Sequence, residues 1–160
     1  MQVAESINPA LFSRLIDSLY VEAMVMADEA RSYFDRHGDS AREKMDMMGR
    51  LSFTCESLKV TTRLMHIIAW LLSQRAWQRG EISWQALSDP KYQLGEAAAT
   101  DKNVLAALPE SARTLISGSE DLYRRILLLQ TKMRVHELDA PMAESPSPAR
   151  TLMDRLEQAF

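Results

Sequence analysis

Cysteine is almost missing from this sequence: Cys55 is the single one in 160 residues. An intrachain disulfide is therefore excluded, and a thiolate zinc site would have one ligand at most. Such usage fits a reducing compartment. Histidine is scarce too, at His37, His66 and His136. The residues three before them are Phe34, Arg63 and Met133, so the Glu-x-x-His pairs of a bundle di-metal site do not occur. Neither His-x-x-x-His nor HExxH is found, and no glycine-rich phosphate loop or nucleophile elbow is present. Cys55 and His66 lie 11 positions apart, roughly 16 Å along one helix, too far for a nucleophile–base pair. No catalytic residue, metal or cofactor is expected, and a bundle metalloprotein is the weaker alternative.

A basic excess is also lacking. The net charge is −3 with a pI near 5.6, which argues against nucleic-acid binding. Long apolar runs are missing as well. The longest, Leu64 to Leu72, is interrupted by His66 and is far short of the ~20 residues of a membrane span. The opening MQVAESINPALFSRL has no basic start followed by an apolar run, so no secretory signal is expected and the expected location is cytoplasmic. Glycine (five) and proline (six) are few, which suits long helices with few turns.

What is present is helical patterning. Asn8-Pro9 reads as an N-cap followed by a first-turn proline. Phe12, Ile16, Leu19, Ala23, Met26, Ala30 and Tyr33 then alternate four and three apart, the spacing of one packed seam. Gly38 is expected to end this helix, and Asp39 or Ser40 to cap a second. The second seam is Met48, Leu51, Cys55, Leu58, Thr62, Met65, Ala69, Leu72 and Ala76. Gly80 closes a helix of about 40 residues, or roughly 60 Å. Residues 80–108 are irregular and read as a crossover connection, with Ile82, Trp84, Leu87, Tyr92 and Leu94 folded onto the bundle and a short helix within 96–107. Pro109 opens a third helix with the seam Ala112, Leu115, Ser119, Leu122, Ile126, Leu129 and Met133. Pro141, Pro146 and Pro148 then mark a linker. Leu152, Met153, Leu156 and Phe160 share one face of a short tail helix.

The fold expected is all-α: an antiparallel three-helix bundle with long helices over residues 1–140, and a flexible C-terminal tail over 141–160 ending in a short amphipathic helix. Around Leu64, Ile67, Ile68, Trp70 and Leu71 the second helix is apolar on all sides but His66. A helix of that kind is buried on more than one side, so these residues belong to the core or to a homodimer interface. Across 39–79 there are seven basic and four acidic residues. Glu56, Lys59 and Arg63 fall on one face and form a candidate docking patch for a protein partner. Thr54, Ser57, Thr61 and Thr62 add an uncharged polar stripe suited to packing against another helix.

The second-helix run SFTCESLKVTTRLMHIIAWLLSQRA (52–76) resembles the signature stretch of the alphaproteobacterial regulator-of-CtrA-degradation (RcdA) family. LYVEAMVMADEARSYFD (19–35), LPESARTLISGSEDLYRRI (108–126) and SPARTLMDRLEQAF (147–160) are similar to it as well. The resemblance implies a three-helix bundle, usually dimeric, with a flexible tail implicated in cargo delivery. It implies a non-enzymatic adaptor that helps deliver regulatory proteins to the ClpXP protease in cell-cycle control. The implied partners are a response-regulator-like adaptor and a cyclic-di-GMP-binding effector. The alternative is a structural or regulatory homodimer without a protease link.

Overall fold

The computed structural model describes residues 8–139. Helices and loops, with no strand among the described residues, run in the order α1 (Pro9–Ser32), a π-helical turn (Tyr33–His37), α2 (Gly38–Glu43), α3 (Met47–Gln78), α4 (Trp84–Leu87), a 3-10 turn (Pro90–Tyr92), α5 (Lys102–Ala106) and α6 (Glu110–Asp139). Met1–Gln130 form one compact unit and Thr131–Phe160 group separately. The expected tail residues Leu152, Met153, Leu156 and Phe160 lie outside the described residues.

α1 begins as the sequence indicates. The Asn8 side chain accepts from the Ala10 N–H at 3.0 Å, and Pro9 takes the first helical position. Phe12, Ile16, Leu19, Ala23 and Ala30 of its seam are buried. Gly38 does not end the helix. Its φ of −61° is right-handed helical, and the chain passes through the π turn into α2. The glycine is buried beside Phe53 and the Arg42 guanidinium, so it serves as a close approach rather than a left-handed cap. Phe34 meets Phe53 edge-on at 5.3 Å between centroids, which locks this corner.

The second long helix starts later than expected. Asp46, not Asp39 or Ser40, is its N-cap, with its carboxylate accepting from the Gly49 N–H at 2.7 Å. α3 therefore has 32 residues rather than about 40. Gly80, at φ 75°, does end it, in the left-handed conformation that favours glycine.

α1 runs antiparallel to both long neighbours. Phe12 meets Trp77, and Phe34 meets Phe53. On the other side Glu22 pairs with Arg125, while Met26 lies against Gly118. The connection from Gly80 to Leu108 carries the chain back along α3, so α3 and α6 point the same way. Leu108 lies near Met48 and Ser52, and Ser119 near Arg63. Leu87 and Leu94 of this connection are buried, and Trp84 stacks on Trp77 at 4.9 Å. Phe53, Ile67 and Leu71 of α3 join Ile16 of α1 and Ile116, Leu122 and Ile126 of α6 in the dry interior. Each such side chain contributes roughly 1.5–3 kcal/mol on burial.

The two glycines give a direct test. Gly38→Ala has ordinary contact distances of 3.5 Å or more and is expected to stabilise by about 0.4–1 kcal/mol. Gly80→Ala, at positive φ, is expected to destabilise by about 1–2 kcal/mol. Urea denaturation of the two variants measures both signs.

Candidate interaction surface

The face of α3 that packs inward carries charge. Its buried residues are Phe53, Glu56, Val60, Arg63, Leu64, Ile67, Trp70, Leu71 and Gln74. Arg63 is 2% exposed and Glu56 3%. Both act on the connection. Residues 93–101, which carry no helix, lie along α3 and α6 as a strap. Arg63 Nη2 donates to the Ala98 carbonyl at 2.8 Å, to Thr100 Oγ1 at 2.9 Å and to Glu120 Oε1 at 3.1 Å. Its Nη1 donates to Ser119 Oγ at 3.2 Å. Thr100 Oγ1 donates to Glu56 Oε2 at 2.6 Å, and the Thr100 N–H donates to Glu120 Oε1 at 2.8 Å. Lys59 Nζ donates to Glu56 Oε1 at 2.8 Å and to the Ala99 carbonyl at 3.4 Å. Two cations and two carboxylates thus close a neutral cluster. Burial pushes the Arg63 guanidinium below its ordinary pKa, and the Glu120 and Glu56 charges pull it back up. Farther along, Tyr123 OH donates to the Gly95 carbonyl and the Leu94 N–H to Gln130 Oε1, each at 2.8 Å. Gly95 is held so close to His66 that a Cβ there would sit 2.7 Å from Nδ1.

This placement corrects the docking patch drawn from Glu56, Lys59 and Arg63. The three do come together, but Glu56 and Arg63 face inward and are spent on holding the strap. Lys59 alone keeps a part-exposed side chain. Leu64, Ile67, Trp70 and Leu71 are core of this chain, and Ile68 is half-buried. Thr100, Ser119, Glu120, Tyr123 and Gln130 were not legible as partners of α3. The one available signal was the seven-residue spacing of Glu56 and Arg63, which puts opposite charges on one face of an apolar helix.

The seam read as the core of α3 lies outside. Met48 is 68% exposed, Leu58 62% and Met65 61%. Leu51, Cys55, Thr62, Ala69 and Leu72 are exposed, and Ala76 is half-buried. Arg50 is the one charge among the exposed positions of α3 from Met48 to Leu72. The hydroxyls bordering the seam are already satisfied: Ser57 Oγ donates to the Thr54 carbonyl at 2.7 Å, and Thr61 Oγ1 to the Ser57 carbonyl at 2.9 Å. They add methyl and methylene surface without unpaired donors.

Elsewhere the surface offers little convergent chemistry. An open groove between Met45, Met48, Gly49, Val104 and Leu108 holds one carboxylate, Asp46, which is committed to capping. Among the described residues no three His, Cys, Asp or Glu side chains are grouped to hold a metal ion. No helix among them is long and apolar enough to cross a membrane.

Removing the guanidinium strands two carboxylates. Arg63→Met is expected to cost about 3–5 kcal/mol and to open residues 93–101 to limited proteolysis. Lys59→Met, half in solvent, is expected to cost no more than about 1 kcal/mol and to leave the strap protected.

Comparison with known proteins places this architecture. The family described as "Protein of unknown function (DUF1465)" matches residues 7–160. No curated protein matches the sequence. The crystal structure of RcdA from Caulobacter crescentus CB15 is similar, with a TM-score of 0.61 and 30% sequence identity over 83% of this chain and 96% of that one. The chain is thus a member of the DUF1465 family, with an RcdA-like sequence and helical fold.

Proposed function

We propose that this protein is a non-enzymatic interaction module: an RcdA-type adaptor that helps deliver regulatory proteins to the ClpXP protease in cell-cycle control, working in the cytoplasm as a homodimer. The observation that carries the reading is the uncharged apolar spine on the solvent side of α3. Exposed apolar surface of that extent marks an interaction site. Kinship with RcdA supports the adaptor role, and the absence of convergent titratable groups in the Met45–Leu108 groove favours binding over chemistry. The same spine favours the second reading, a structural or regulatory dimer with no protease link.

Affinity purification from the native cell separates the two. The adaptor reading expects ClpX or a partner adaptor to co-purify, and expects cargo proteins to persist longer when the gene is deleted. Recovery of neither, with unchanged cargo lifetimes, leaves the structural dimer. For the tail, truncation after residue 140 is expected to leave the melting temperature nearly unchanged while weakening cargo delivery. A large drop in melting temperature would make 141–160 part of the core instead.

A further inference from the structure

The seam on α3 has an internal order that simple greasiness does not require. Its steps alternate three and four residues from Met48 to Ala76, the repeat with which one helix packs along another. The two interleaved rows differ in size. After Met48, one row is Cys55, Thr62, Ala69 and Ala76; the other is Leu51, Leu58, Met65 and Leu72. In a parallel pair of identical helices, like positions face each other. Small would then meet small and leave voids, while Leu would meet Leu and hold the helices apart. In an antiparallel pair each layer joins one residue from each row, so large fills small along the whole length.

We infer that α3 pairs with α3 of a second copy of this chain, antiparallel, through this seam, about a two-fold axis at the level of Val60. The inference rests on the homodimer reading above and adds the face, the direction and the register. In that register Thr62 meets Leu58 of the second copy, Cys55 meets Met65, and Ala69 meets Leu51. Met48 and Leu72 close the ends, so no seam residue between 48 and 72 is left over. A second copy is the occupant that the charge pattern selects. A charged partner helix would leave its own charges facing a strip that offers Arg50 alone, whereas two copies of a neutral strip leave none. The internally bonded Ser57 and Thr61 hydroxyls can be covered without loss of a partner. The seam is about 36 Å long, the scale on which an interface reaches the ~800 Å² per partner of a stable complex.

Cross-linking of the full-length chain tests the direction. In the antiparallel register the two Cys55 thiols are about 15 Å apart along the seam, so oxidation of the wild-type protein is expected to give no covalent dimer. Met65→Cys is expected to form an interchain disulfide with native Cys55, and Cys55→Ser added to it abolishes the link. Light scattering of the untreated protein at micromolar concentration is expected to give twice the 18.2 kDa chain mass. Leu58→Asp is expected to halve that mass while the helical circular dichroism is kept. A native dimer that cross-links through Cys55 alone, or that survives Leu58→Asp, overturns this interface and leaves the homodimer reading standing. A native monomer overturns both.

Discussion

Arg63 is held out of water between two helices and a connecting segment, and a cation in that position must be compensated on every side. Glu56, Glu120, Thr100, Ser119 and the Ala98 carbonyl supply that compensation. Because those groups come from α3, α6 and the strap, satisfying one guanidinium fixes how three segments lie. The parallel course of α3 and α6 follows from the same arrangement, since the strap must travel back along both before α6 can begin. Gly95 tightens it further by bringing backbone against the His66 ring, where no side chain would fit.

Placing charge inside α3 leaves apolar residues outside. A helix that buries Glu56, Arg63 and Gln74 on its inner face, yet carries the apolar content of a core helix, must expose part of that content. The spine from Met48 to Ala76 is the result. Its polar neighbours turn their hydroxyls back onto their own helix, and charge is nearly excluded from it. An adaptor needs such a surface and needs no reaction centre, and kinship with RcdA is in keeping with both.

The sequence made α1 and α6 legible because each has one apolar row and one neighbour-facing side. Phe12, Ile16, Leu19 and Ala23 are buried as their spacing predicts, and so are Ala112, Ser119, Leu122 and Ile126. α3 carries two overlapping rows, and hydrophobicity alone selects the more regular one. That row faces solvent, because the other is anchored by a buried ion cluster whose value depends on residues 40 to 60 positions away in the chain. Local spacing holds no record of Thr100 or Glu120. The same limit applies at Gly38: glycine at the end of an apolar pattern signals a cap, but here the lost side chain makes room for Phe53. Asp46 was passed over because the pattern was extended across the α2–α3 turn.

The central claim is that the charged side of α3 faces in and the apolar side faces out, covered by association alone. Native Cys55 sits on that outer seam, so the rate of its reaction with a thiol reagent, followed across protein dilution, reports the orientation directly. The account predicts slow labelling at high concentration and fast labelling on dilution while the helical signal is unchanged. Protection of Cys55 at every concentration at which the chain stays folded would put the seam inside the bundle and contradict it.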